Sequence, residues 1–508
     1  MFASVLTAAI HGMEVSPIQV EADVSDGLPS FIMVGYAASQ VKEAQDRVRT
    51  ALRNIGVNLP PKRITVNLAP ADIRKDSSGF DLPVAVAVLA AAGLIGEKTL
   101  HGGMIMGELS LSGEVQPVSG ILARVIRARE LGCTFCMIPE RNLKEASLVK
   151  DIKVLGVKNL REVMDFIANP EAHAHSAKNE EASAGSQDDG LDVSEVFGQE
   201  GAKRAAEIAA AGFHNLLFIG PPGVGKTMIA RRIPSILPPL TFEESLEITK
   251  IYSIAGLLPE GDPLIRTRPF RSPHHTSTAQ SLAGGGRIPH PGEITLAHRG
   301  VLFLDEIAEF SRHTIEILRQ PLEEKIICVS RASGSYIFPA SFMLVASTNP
   351  CPCGYYPNME RCRCTQSEVH QYLGRISQPL LDRIDLCADI PETPLDDIKN
   401  PLPAENSAAI RERVAKAREI QTERYRGTDI LYNSELSGKL LDEHCVLTDD
   451  AWKLMHSAFD RMQLSMRSYH RILKVSRTIA DLEGSSRIEC AHLAEALSYK
   501  GLDKKYWA

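Results

Sequence analysis

The stretch GPPGVGKT, Gly220 to Thr227, restricts the possible folds of this chain more than any other. It follows the apolar run LLFI and leads into MIARRI, so it requires a strand, a glycine-rich turn and a helix in that order. Gly220, Pro221, Pro222, Gly223, Val224 and Gly225 make the turn, and its glycines let backbone N–H groups face inward to cradle phosphates. Lys226 then reaches the outer phosphate oxygens, and the Thr227 hydroxyl holds Mg²⁺. NLLFIG, GVLFLDEI and FMLVAST are nearly continuous apolar runs, as expected of strands buried in a parallel sheet. The central part of the chain therefore reads as α/β.

A parallel sheet delivers the ends of its strands to one edge, and the sequence places chemistry there. VLFLDE ends in Asp305 and Glu306, where Asp305 can hold Mg²⁺ through water and Glu306 can polarise an attacking water. FMLVAST ends at Asn349, whose amide can orient the same water. Downstream, PLLDRIDL sets Arg383 between Asp382 and Asp385. It reads either as a surface ion pair with one of these aspartates or as an arginine finger that completes the site of an adjacent subunit.

NPCPCGYYPNMERCRCTQSE, beginning at Asn349, brings Cys351, Cys353, Cys362 and Cys364 close together. Buried small side chains would explain them in an apolar setting, but Gly354, Asn358 and Arg361 make this a polar loop. Two Cys-x-Cys pairs bracketing a short loop suit a structural tetrahedral Zn²⁺ site, with an iron-sulfur cluster as the alternative. Tyr355, Tyr356, Arg361 and Arg363 add aromatic faces and positive charge suited to nucleic acid.

The segment before the Asp-Glu strand is basic, with Arg266, Arg268, Arg271, Arg287 and Arg299 among His274, His275, His290 and His298. Adjacent His274 and His275 lack metal-ligand spacing, which points to hydrogen bonding or phosphate contact. IICVSRASGSYIFP reads as a hairpin with Arg331 near its turn, lining a pore or simply solvated. The formal net charge of −7 excludes a globally basic coat and leaves a local basic channel open.

The segment from Ala168 to Gly190 is small, acidic and poor in large apolar residues, so it reads as a linker. Before it, IQVEADV, FIMVGYA, RITVNLA, MIMGELSL and TFCMIP are strand-like, with helices at SQVKEAQDRVRTALRNIG and SGILARVIRARELG. The N-terminus reads as a strand rather than a signal peptide, and Leu82 to Ile95 as a buried helix too short to cross a bilayer. Ten cysteines without an export signal fit the reducing cytoplasm, with no membrane partner. After Pro394 the periodicity is helical.

The order FGQ, GPPGVGKT, LFLDEI, STNP, LLDRIDL and SMRSYHRILKVSRTIADL resembles an AAA+ ATPase. RPFRSPHHTSTAQSLAGGGRIPHPGEITLAHRGVLFLDEI, Arg268 to Ile307, narrows the resemblance to the ComM/YifB family, also called magnesium chelatase-like, over essentially the whole chain. The resemblance implies a homo-hexameric ATPase using ATP and Mg²⁺ on single-stranded or branched DNA. It implies helicase or branch-migration activity in recombination and natural transformation, with recombination proteins as partners. It also implies Asn349 as sensor 1, Arg383 as the finger in trans and Arg467 as sensor 2, with Arg471 competing for that role.

The resemblance divides the chain into a Lon-protease-like (ribosomal S5 domain 2-like) α+β domain at 1–167 and a linker at 168–190. An AAA+ core with a zinc-binding insert follows at 191–393, then a helical lid at 394–508. RKDSSGFDLPVAVAVL aligns with the Lon nucleophile segment, but the serine position falls on Gly79; VQPVSGILAR puts the lysine position on Leu122. Ser77 and Ser78 would be out of register, so the domain is expected to be catalytically silent. The competing function is a protein-remodelling ATPase of the magnesium chelatase or MoxR kind.

Overall fold

The computed structural model describes residues 1–35, 43–75, 78–169, 190–259, 261–286, 289–331, 334–392 and 404–507. Most of the expected linker, Arg287, the hairpin turn at 332–333, Ser77 and the side chain of Ser78 lie outside the described residues.

The first part of the chain builds a seven-stranded sheet. Its strands are β1 (Phe2–His11), β2 (Glu14–Ser25), β3 (Ser30–Val34), β4 (Arg63–Ala69), β5 (Gly103–Ile105), β6 (Phe135–Pro139) and β7 (Lys153–Val157), in the order β3-β4-β2-β1-β5-β6-β7. β1 and β2 pair antiparallel from Phe2 opposite Asp23 to His11 opposite Glu14, and Ile18, Val20, Ala22 and Val24 alternate inward. Beneath them lies the helix Asp81–Ala91, in which every residue is buried. It ends four residues short of Ile95. Asp81, at its first turn, is buried too and takes a bidentate ion pair from Arg47 at 2.8 and 3.0 Å. A buried carboxylate is tolerable only with such partners.

The second sheet has five parallel strands: β8 (Leu216–Ile219), β9 (Phe270–Arg271), β10 (Val301–Leu304), β13 (Met343–Thr348) and β14 (Leu386–Asp389), in the order β9-β10-β13-β8-β14. All four residues of β8, all four of β10 and all six of β13 are buried, so these runs lack alternation because both faces are covered. Between β10 and β13 stands the antiparallel hairpin β11 (Ile326–Arg331) and β12 (Gly334–Pro339).

Helices Ser407–Arg424, Gly438–His444, Asp449–Arg461, Met466–Leu482 and Cys490–Trp507 follow. Ile472, Val475 and Ile479 share one apolar cluster with Phe218 and Val345 of the sheet, so this part is fused to the core. The last helix returns to the sheet edge, where Tyr506 Oη donates to Asp389 at 3.1 Å and Trp507 Nε1 to Leu373 O at 3.1 Å. The first sheet's unit rests on the helix Phe242–Ala255: Gly120 N donates to Ser253 O at 3.0 Å, and the Ser253 hydroxyl donates to the Glu145 carboxylate.

Candidate functional site

The parallel sheet brings Gly220, Asp305 and Asn349 to one edge, because β8, β10 and β13 run in register with Ile219 beside Thr348 and Leu304 beside Ala346. Gly220 is required sterically, since a Cβ would stand 2.3 Å from Ile390 O. Gly223 and Gly225 have φ of +79° and +96°, and a Cβ on either would meet nothing within 4 Å. The loop is thus left-handed and open on its inner side, the cradle that phosphates need.

Lys226 is buried and donates to Gly220 O at 2.6 Å, Pro221 O at 2.7 Å and Asn349 Oδ1 at 2.9 Å. Burial holds its ammonium well below the usual lysine range, at about 8, against the pull of Asp305 and Glu306. All three donors are taken by neutral oxygens that incoming phosphates would replace. Thr227 Oγ1 donates to Asp305 Oδ2 at 2.7 Å, so the two expected Mg²⁺ residues already share one point. Glu306 has φ of +50°, a strained region for a side-chain-bearing residue, and its N–H is held by Asp305 Oδ1 at 3.1 Å and Ser347 Oγ at 3.2 Å. Its side chain is exposed.

Ser347 was not singled out by the sequence, yet its buried hydroxyl also donates to Asp305 Oδ1. The signal was a lone pair of hydroxyl residues, Ser347 and Thr348, closing an apolar run.

The four cysteines converge. Their Sγ atoms all lie within 4.8 Å of one another, with Cys351 to Cys353 at 3.3 Å, Cys351 to Cys362 at 3.8 Å and Cys353 to Cys362 at 3.6 Å. A tetrahedron with Zn–S bonds of about 2.3 Å has edges of about 3.8 Å, so the thiols fit that ion. The knot leans on the phosphate loop: Gly354 has φ of +86°, and a Cβ there would come within 2.5 Å of Pro222 Cδ. Gly354→Val is expected to displace Pro222 and raise the KM for ATP by roughly tenfold, because overpacking typically costs on the order of 1–3 kcal/mol. ATP titration at unchanged metal content checks it.

Four arginines of the basic segment are engaged in ion pairs within the chain. Arg266 bonds Asp262 at 3.0 Å, Arg268 bonds Glu244 at 3.0 Å, Arg271 bonds Glu293 at 2.6 Å, and Arg299 bonds Glu247 at 2.9 Å. Glu244 and Glu247 come from the helix Phe242–Ala255, a tertiary pairing that no local pattern displays. His298 is buried against Glu247 and Ser341, while His274 and His275 stack at 4.0 Å. Arg361 is likewise engaged, over the Tyr355 ring at 4.0 Å and bonded to Glu392 at 2.7 Å. Arg331 and Arg363 remain exposed.

Arg383 pairs with neither neighbouring aspartate. Its Nη2 lies 2.6 Å from Glu323. Asn215 Nδ2 donates to Arg383 O at 2.8 Å, and Asn215 O accepts from Asp385 N and Leu386 N, so Arg383 sits where β8 and β14 begin. The phosphate loop follows the other end of β8. Arg467 stands beside Arg383, 3.6 Å from Glu323 and 3.9 Å from Asp382. Arg471 is buried, donating to Leu381 O at 3.0 Å and to Asp382 at 3.3 Å. The structure therefore brings Lys226, Thr227, Asp305, Glu306 and Asn349 together, and gathers Arg383, Arg467 and Arg471 at the opposite edge.

The chain is similar to known proteins along nearly its whole length. Family models described as magnesium chelatase, subunit ChlI, match residues 192–398 and 20–142, and a model of its C-terminal region matches 404–500. Competence protein ComM of Haemophilus influenzae is 43% identical over 507 residues, covering 98% of this chain and 97% of its own length. YifB of Salmonella typhimurium is 41% identical over 506 residues, covering 99% and 97%. Shorter matches reach Lon protease of Mycolicibacterium smegmatis, 25% identical over 177 residues (33% of this chain, 22% of Lon), and DNA repair protein RadA of Halalkalibacterium halodurans, 31% identical over 113 residues (22% and 24%). With full-length identity above two fifths and an intact phosphate-loop site, the chain belongs to the ComM/YifB family of magnesium chelatase-like AAA+ proteins.

Proposed function

We propose that this protein is a ring-forming ATP hydrolase that drives DNA, single-stranded or branched, through a homo-hexamer in recombination and transformation. The observation that carries the ring is the position of Arg383. It stands just before β14, at the opposite edge from the phosphate loop after β8, which supports service to a second copy's ATP rather than its own. Arg467 shares its carboxylate partner and would act across the same junction.

In each site Lys226 and the backbone N–H groups of Gly223, Val224 and Gly225 bind the phosphates, and Asn349 and Glu306 orient and deprotonate the attacking water. Thr227 and Asp305 would hold Mg²⁺, which would supply positive charge beside the phosphate oxygens. DNA as the track is supported by the similarity to a competence protein and a DNA repair protein and by the exposed Arg331 and Arg363. Residues 1–167 are proposed to be a Lon-like domain without catalysis, since buried Leu122 stands at the lysine position and Gly79 at the nucleophile position. Residues 191–393 then form the ATPase core and 394–508 the helical lid. Among the described residues no helix is long and apolar enough to cross a membrane, and the cytoplasm is the proposed location.

The test measures ATPase rate with and without forked and four-way DNA at several salt concentrations, since phosphate contacts weaken with salt. Salt-sensitive stimulation supports the motor. Stimulation by a protein partner and by no DNA would instead assign a protein-remodelling role of the chelatase kind, which the ChlI models favour. At the cysteine knot, the purified protein should carry about one Zn²⁺ per chain, lost on joint replacement of Cys351 and Cys362 by Ala together with DNA-stimulated hydrolysis. Unchanged metal content in that variant would contradict the site.

A further inference from the structure

We infer that Glu323 is a positioning residue that holds Arg383 back until the β11–β12 hairpin is loaded, and so couples the hairpin to hydrolysis in the neighbouring copy. This rests on the proposed role of Arg383 in trans.

Arg383 does not project. Its side chain is 14% exposed, Nη2 is bonded to Glu323 at 2.6 Å, Nη1 donates to Pro379 O, and Nε is buried without a partner. The same carboxylate oxygen, Glu323 Oε1, stands 3.6 Å from Arg467 Nη2. One acid therefore faces both arginines, and an incoming phosphate must compete with it for either. Beside this pair lies a cleft of about 360 Å³ lined by Glu323, Lys325, Asp382, Arg383 and Arg467, which leaves room for the guanidinium to swing.

Glu323 is also joined to the hairpin by the shortest possible route. It belongs to the helix Arg319–Glu324, and β11 begins at Ile326. Between them Lys325 takes φ of +57°; its N–H donates to Pro321 O at 3.1 Å and its carbonyl accepts from Ala340 N at 2.7 Å, closing the hairpin's base. A load on the exposed Arg331 end is thus passed through a stiff pair of strands to a single left-handed residue two positions from Glu323. Displacing that residue moves the carboxylate and frees Arg383.

The experiment compares Glu323→Gln with the unaltered chain. Glutamine keeps the shape and removes the charge, so the melting temperature should stay within a few degrees, the carboxylate of the pair being half exposed. The DNA-free ATPase rate should rise by roughly two- to fivefold, the factor a half-exposed ion pair sustains, and the ratio of DNA-stimulated to DNA-free rate should fall by the same factor. Glu323→Asp should keep the low DNA-free rate, and Glu323→Gln should have no effect in an Arg383→Ala background. An unchanged or lowered DNA-free rate in Glu323→Gln, with Arg383→Ala inactive, overturns the inference and leaves the shared site intact. Full activity of Arg383→Ala overturns both.

Discussion

Replacing Glu306 with Gln leaves ATP bound and stops its turnover, with kcat falling by about 10²- to 10⁴-fold, the range a positioned general base supplies. Backbone strain at φ of +50° and two hydrogen bonds donated by the Glu306 N–H, to Asp305 and Ser347, fix where the residue sits. Among the described residues its carboxylate forms no ion pair, so it is free to accept a proton. Glutamine preserves the polar contact and loses the basicity. Binding depends on Lys226 and the loop N–H groups, which this change does not touch. Equilibrium binding of a fluorescent ATP analogue beside a single-turnover measurement separates the two effects. Turnover within a few-fold of the unaltered chain would remove Glu306 from the base role.

Arg383→Ala is expected to lower kcat by about 10³-fold or more while the Kd for ATP stays nearly constant. The asymmetry follows from topology. Strands of four residues carry the chain about 13 Å from one sheet edge to the other, and Arg383 lies at the edge where β8 and β14 begin. An arginine so placed cannot strengthen ground-state binding in its own chain. ATP binding and steady-state hydrolysis measured on assembled protein decide the matter. Weakened binding at unchanged turnover would leave Arg383 as half of an ion pair with Glu323 and nothing more.

The nucleotide edge was legible because it is written locally. GPPGVGKT fixes its own conformation, and the apolar runs ending at Asp305 and Asn349 can reach the same edge only in a parallel sheet. The cysteine knot was legible for the same reason, as four ligands within fourteen residues need little from the rest of the fold. What failed depended on contacts across long separations. Arg268 and Arg299 looked available because their partners, Glu244 and Glu247, lie on an earlier helix. The sequence offers Arg383 the adjacent Asp382 and Asp385 as partners. Those are taken by Arg471 and by Asn215, leaving Glu323, some sixty residues upstream, to fill the position. The helix expected to run to Ile95 stops at Ala91, where Gly93 adopts φ of +74°.

The account stands on a site shared between copies, and mixing two dead variants tests it most directly. Glu306→Gln keeps a good Arg383, and Arg383→Ala keeps a good Glu306, so junctions joining the second's phosphate loop to the first's arginine are fully equipped. Random assembly at equal concentrations makes such junctions about a quarter of the total, and ATPase activity should reappear on mixing at a comparable fraction of the unaltered rate. Mixtures that stay as inactive as their components, under conditions where both variants demonstrably assemble together, would contradict it.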